Sequence, residues 1–351
     1  MELLEALTTT AGIPGREHRV RRLITDRVAG LFDSLTTDPM GSLIGVRKPR
    51  PGSGSAGEKP LKVMVAAHMD QIGFMTRHID DHGFMRLNAV GGFDTRNLFA
   101  RLVTVCPDPL DASKDLPGVL NPGGRPIHIA TEEDKKKIPE MREFVVDLGM
   151  TAEQVRQRVK IGDMVVLKAP FEQVGEMVVS QCLDNRVACW IAIRAIEKLE
   201  HHDCEIHCVF TVQEEVGLRG ATTSSYTVQP DIGIALDTTL CVDTPGVPEE
   251  ERVTRHGGGA GLTAMDSSFI SDYGLLQRFE ALAEQHGIAH QRSILPRGGT
   301  DSGAMQRAGS GARVFTLSCP TRYIHTVTEA VNKHDLFACR DLLAAFLEAG
   351  V

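Results

Sequence analysis

LKVMVAAHMDQIGFM, residues 61–75, decides the architecture. An apolar β-type run over 61–67 ends on His68, and Asp70 follows two residues later. In a strand, residues i and i+2 share a face, so Asp70 is placed to orient the His68 imidazole. A carboxylate that fixes a ligating histidine in one tautomer is a recurrent arrangement at metal sites. From about residue 72 the texture changes to short alternating segments, so the run at 61–67 reads as a core strand that leads into an insertion.

Other apolar runs end the same way. In TVQEEVGLRGA (211–221), Glu214 and Glu215 follow the apolar stretch 208–212 with no basic residue before Arg219. Burying one such carboxylate costs several kcal/mol unless a positive charge meets it. A metal ion supplies that charge; a solvated turn with two surface acids is the plainer alternative. DIGIALDTT (231–239) ends its apolar run at Asp237, and SCPTRYIHT (318–326) places His325 after a short strand and a proline turn. SQCLDNRVACWIAIRAIEKL (180–199) sets Asp184-Asn185 where a loop becomes an amphipathic helix. Singly, His68 reads as a satisfied core histidine, Asp184 as a helix cap and Asp237 as a turn acid. Together they suit an α/β sheet, whose ligands gather outside the carboxyl ends of its strands.

Two histidines, two aspartates and one glutamate give two ions three ligands each if one aspartate bridges, leaving room for water. Two ions about 3.5–4 Å apart around one water are a common hydrolase design. The chemistry that follows is a metal-bridging water as nucleophile, with one of the two adjacent glutamates binding metal while its neighbour handles the proton.

The segments AAHMDQIGF, LDNRVAC, TVQEEVGLRGA, ALDTT with DTPG (243–246), MDSS (265–268), RGGTDSGA (297–304) and PTRYIHT run in one order along the chain. In these the sequence resembles the tetrahedral (TET) metallo-aminopeptidases, metallopeptidase family forty-two, over nearly its whole length. The resemblance implies a bridging Asp184, His68 and Asp237 on one ion, Glu215 and His325 on the other, Glu214 as base and Asp70 as the partner of His68. It implies two divalent ions per subunit, and imidazole and carboxylate ligands suit zinc, cobalt, manganese or nickel; zinc or cobalt is the expectation. It also implies a three-layer α/β/α catalytic domain of the zinc-peptidase type carrying an inserted small β-barrel-like (PDZ-like) domain, and self-association up to a tetrahedral dodecamer. Removal of single N-terminal residues from short peptides rests on the resemblance alone. The sequence departs from the family pattern at Gln71, where Glu is frequent, and at Cys182 and Ala188, where Ala and Gly are common.

A related metal-dependent deacylase or carboxypeptidase would use the same ligand types, and DTPG, RGGTD and RYIHT favour the aminopeptidase. An endoglucanase needs two carboxyls about 5–9.5 Å apart across the bond, which adjacent glutamates do not provide. RGGTDSGAM (297–305) is the expected substrate wall: its glycines permit close backbone approach, which makes Gly298, Gly299, Thr300 and Asp301 candidate substrate-binding residues.

The chain has 351 residues, 42% hydrophobic content and a net charge of −8, so it is long enough for two cores and carries no basic footprint for nucleic acid. No run reaches the length of a membrane span, and the N-terminal MELLEALTTTAGIPG lacks the pattern of a signal peptide. Its eight cysteines are scattered without a CxxC pair, which fits reduced thiols in the cytoplasm. Cys204 and Cys208 flank His207 but alternate as faces of a strand rather than as a metal clip. His201-His202 reads as a solvated helix end.

Residues 1–71 and 169–351 are expected to form the catalytic domain, and 72–168 a β-rich dimerisation domain. Helices are expected over 1–10, 16–32, 185–200, 271–286 and 334–349, and core strands near 41–47, 61–67, 205–212 and 231–237. Within the insertion, FMTRHI, GFMRLNAV, LVTV and KIGDMVVLK read as strands, and DKKKIPEMRE (134–143) as a solvated charged segment. PRPGSGSAGEKP (49–60) reads as an exposed mobile loop.

Overall fold

The computed structural model of the protein describes residues 1–50 and 60–350. Most of the expected mobile loop at 49–60 therefore lies outside the described residues.

The apolar runs form the middle of an 11-stranded sheet. Glu205–Thr211, Lys62–His68, Ile232–Leu240 and Arg313–Arg322 lie side by side and parallel, with Thr211 opposite His68 and Asp237 opposite Ser318. Alternation along each strand feeds two cores. Val63, Val65 and Ala67 face the helices Glu2–Thr9, Leu183–Lys198, Tyr273–Gln285 and Lys333–Glu348; Met64 and Ala66 pack on the opposite face with Val209, Ala235 and Met305. The second face is covered by Arg219–Val228 and Asp301–Arg307. These are the three layers α/β/α. Near-continuous burial along the central strands explains why their sequences show apolar runs instead of a polar–apolar alternation.

Between Lys62–His68 and Glu172–Val174 the chain leaves the sheet and closes a six-stranded antiparallel barrel. Its strands are Gly73–Ile79, Met85–Val90, Arg101–Cys106, Leu116–Pro122, Phe144–Asp147 and Met164–Leu167. Phe74, Leu87, Val103, Leu120, Phe144 and Val165 fill it. The four strands read from the sequence are present; Leu116–Pro122 and Phe144–Asp147 complete the closure. The charged segment is exposed and includes part of one short helical turn, Glu132–Lys136. Closure leaves the barrel no free edge, and Arg19 ties it to the α/β body through a two-oxygen contact with Asp115 at 2.7 Å.

The second helix, His18–Arg27, is shorter than the 16–32 expected. The reading of His201-His202 as a solvated helix end is corrected for His202. The helix stops at Lys198, and His202 is buried with Nδ1 2.9 Å from the Cys204 carbonyl. Its backbone bridges Arg50, which draws it under the sheet edge. Cys204 and Cys208 lie in the main core, while His207 turns to Glu205 at 2.7 Å, as faces of a strand require. All eight cysteines are buried and unpaired. Among the described residues no helix is long and apolar enough to cross a membrane.

Candidate metal centre

Each expected ligand sits at or near one end of a regular element. His68 closes its strand, and Asp237 lies near the carboxyl end of the strand paired beside it. Glu214 and Glu215 follow Glu205–Thr211; Asp184 lies in the first turn of Leu183–Lys198; His325 lies beyond Arg313–Arg322. The connections are tight. Seven non-glycine residues among those described have positive φ, and five of them, Cys182, Gln213, Leu218, Tyr323 and His325, lie at or within three residues of these side chains. Strained backbone of this kind persists where the surrounding structure over-determines it. Gly220 supports the glutamate loop by close approach: a Cβ there would meet the Val212 carbonyl oxygen at 2.4 Å.

The side chains converge. His68 Nε2 lies 3.4 Å from Asp184 Oδ1, 3.7 Å from Glu214 Oε2 and 3.8 Å from Asp237 Oδ1. His325 Nε2 lies 3.3 Å from Asp184 Oδ2 and 3.4 Å from Glu215 Oε2. Asp184 thus turns one oxygen to each histidine. His68, Glu214 and Asp237 offer ligand atoms within 4.8 Å of one another, as do His68, Asp184 and Glu215. Proximity alone therefore does not separate a ligand role for Glu214 from a role as base.

Electrostatics favour a cation here. His68 Nδ1 lies 3.2 Å from the Asp70 carbonyl, the geometry of an N–H donor, which leaves Nε2 facing three carboxylates. Burial opposes charge on His68, yet Glu214, Asp184 and Asp70 outweigh it and raise its pKa well above the usual imidazole value. Burial likewise opposes charge on His325, but Asp184 and Glu215 push it up to about 11. Burial raises Glu214 and Asp237 well above the carboxylate range, and neighbouring acids add to it. Asp184 is lowered instead: the two histidines outweigh its burial. Buried Glu215 Oε1 has no hydrogen-bond partner among the described residues. A set that must otherwise hold several protons, with an orphaned carboxylate oxygen and two imidazole Nε2 atoms turned toward carboxylates, fits divalent ions, whose charge inverts these shifts.

The support beneath the site differs from the sequence reading in detail. The strand ends at His68, so Asp70 does not share a strand face with it. Asp70 reaches the same end by a turn: its carboxylate lies 3.6 Å from His68 Nδ1 and accepts the amides of Glu214 and Glu215 at 3.1 Å each. A second buried carboxylate escaped the sequence reading. Glu329 accepts the Asp184 amide at 2.9 Å and the His325 amide at 2.7 Å. Glu17, also missed, accepts the amides of Gly15 and Gln213; burial and then the charge of Asp70 push its pKa up to about 7. Gln71, one of the departures, faces the buried Arg186 at 3.5 Å, and Cys182 donates to the Thr8 carbonyl.

A cavity of about 490 Å³ opens onto the cluster. Gly298, Gly299 and Thr300 line it. Asp301 does not line it: it begins a helix and accepts the Thr211 hydroxyl at 2.6 Å. A larger cleft of about 660 Å³, between 229–231 and 308–314, lies at the opposite, amino ends of the parallel strands and includes none of these ligands.

A His–carboxylate cluster at the carboxyl ends of a parallel sheet, with a barrel inserted after the first ligand, defines a metallopeptidase. The chain belongs to the M42 glutamyl aminopeptidase family, whose pattern matches residues 51–342, and it is thereby a peptide-bond hydrolase of the aminopeptidase type. A putative aminopeptidase of Acetivibrio thermocellus is 34% identical across 95% of this chain and 94% of its own. An aminopeptidase structure from the archaeon Desulfurococcus kamchatkensis superposes with a TM-score of 0.91 at 33% identity, covering 99% of this chain and 94% of that one. A Pyrococcus horikoshii TET1 peptidase, described as assembling into a tetrahedron or a large octahedral shell, gives 0.85 at 29% identity, covering 99% and 98%.

Proposed function

We propose that the protein is a two-ion aminopeptidase that removes the N-terminal residue of short peptides, with Glu214 as general base. The observation that carries the reading is Asp184, whose two oxygens face His68 and His325 separately. His68, Asp184 and Asp237 would hold one ion; Asp184, Glu215 and His325 would hold the other. When bound, such ions supply Lewis acidity that acidifies a water and polarises a carbonyl.

The chain's own groups do the rest. Glu214 takes a proton from the attacking water and delivers it to the leaving amine nitrogen. Asp70 fixes both glutamates by their amides, so base and ligand stay adjacent while their side chains diverge in role. Gly298, Gly299 and Thr300 bound the substrate, with Asp301 anchoring their loop through Thr211.

Zinc or cobalt suits this donor set. Protein stripped with a chelator is expected to lose cleavage of aminoacyl p-nitroanilides. Titration with zinc or cobalt should restore it at two ions per chain. Full activity in metal-free protein would overturn the reading.

We further propose that residues 1–71 and 169–351 work as the catalytic domain and 72–168 as a dimerisation domain. Leu102, Val119, Ile127 and Ile129 in the inserted segment are exposed apolar side chains, and the P. horikoshii relative is described as assembling into a tetrahedron or a large octahedral shell. Twelve subunits in a tetrahedral shell would admit short peptides and exclude folded proteins. Light scattering of native protein is expected to give a mass far above 38.2 kDa; a stable monomer at micromolar concentration refutes this. Eight buried unpaired cysteines suit a reducing compartment, and we place the protein in the cytoplasm.

A further inference from the structure

The cavity wall beyond the metal-holding residues sets aliphatic side chains beside Thr238, Thr239 and Thr300. Leu218, Leu240, Leu295 and Ile324 line it, and each comes from a different segment of the chain. Leu218 precedes the helix Arg219–Val228, Leu240 ends the strand that carries Asp237, Leu295 follows the strand His290–Ile294, and Ile324 adjoins His325. Gly298 keeps the space beside Leu295 open: a Cβ there would stand 3.4 Å from Leu295 Cδ2, at φ +101.

Charged partners for a substrate side chain are sparse. Outside the metal-holding set and Glu214, no acid among the described residues lines the cavity. The one cation of the wall is Arg297, which is exposed and forms no hydrogen bond or ion pair among the described residues. It stands two residues beyond buried Leu295 and lines the same cavity.

We infer that the N-terminal residue removed by this protein is a medium-sized aliphatic one, of the leucine, isoleucine and methionine class, held against Leu218, Leu240, Leu295 and Ile324. The inference rests on the aminopeptidase reading above and specifies its substrate. An aliphatic side chain displaces water from these four residues, whereas a glutamate carboxylate set against them would lose hydration, with the exposed Arg297 as its one charged partner beside the threonine hydroxyls.

The test uses full-length protein carrying two ions per chain and the p-nitroanilides of leucine, methionine, glutamate and lysine. Leucine and methionine should exceed glutamate and lysine by roughly tenfold or more in kcat/KM, the scale on which pocket contacts discriminate. Leu240→Ala is a mild probe, since Leu240 is 36% exposed and its loss does not threaten the core. It should lower kcat/KM for leucine several-fold and for alanine anilide little. Arg297→Ala should leave the rank order unchanged. Free leucine should raise the thermal midpoint of the loaded protein more than free glutamate does. A glutamate or lysine optimum, or a rank order that collapses in Arg297→Ala, overturns the inference while leaving the aminopeptidase reading intact. Failure of the two-ion protein to cleave every anilide overturns both.

Discussion

Glu214→Gln is expected to retain both ions and lose roughly 10²–10⁴ in turnover, the usual worth of a general base. The amide keeps the shape of the side chain and cannot take a proton. Glu215→Gln is expected to fail differently. It removes an anionic ligand from beside His325, which lies 3.4 Å away, so one ion's occupancy should fall. Metal binding and folding are linked, and thermal stability should fall with occupancy. The two residues are neighbours in sequence, share burial, and have their amides held by the same Asp70 carboxylate. A general disturbance of the loop would therefore affect both variants alike. Bound metal per chain and peptide turnover, measured for both, separate the roles. If Glu214→Gln strips metal while Glu215→Gln stays loaded, the assignment is reversed, and the proximity of Glu214 to His68 and Asp237 reflects ligation. If both stay fully active, the pair has no catalytic part.

What the sequence disclosed and what it hid follow from the range of the interactions. His68 and Asp237 were legible because each lies at or near the end of an apolar run in a buried parallel strand, a local signal. Glu214 and Glu215 were legible as two acids with no nearby base. The barrel strands Leu116–Pro122 and Phe144–Asp147 were not: the first holds two prolines and a glycine, the second has four residues, and their pairing with distant strands overrides weak local preference. Arg313–Arg322 runs through Pro320, which ordinarily ends a strand reading. Its partners on both sides keep it extended. His202 was misread because its burial depends on Arg50, about 150 residues away in the chain. Asp70 was chosen for a strand-face argument that the turn after His68 replaces. Its contact with His68 survives, and the bonds to the two glutamate amides belong to tertiary structure.

Glu329 is the clearest case of a residue that only the fold reveals, and it carries the second large expected effect. Its two carboxylate oxygens accept one amide each, from Asp184 and from His325, which are 145 and 4 residues away in sequence. It thereby sets the spacing of the proposed bridging ligand and a ligand of one ion without touching either side chain's metal-facing oxygen or nitrogen. Glu329→Gln offers one acceptor where two are needed and turns an NH₂ group toward a buried N–H. Leaving one buried donor unsatisfied costs about 1–3 kcal/mol, and loosened support behind metal ligands typically costs about 10–100-fold in metal affinity. The variant should therefore melt earlier than the parent, lose its ions at lower chelator concentration, and recover most of its turnover when metal is supplied in excess. That last property distinguishes it from Glu214→Gln, whose deficit excess metal cannot repair. Metal titrations of the two variants side by side decide the matter. If Glu329→Gln binds both ions as tightly as the parent, or if saturating metal leaves it inactive, the clamp between Asp184 and His325 does not act as a support for the ions.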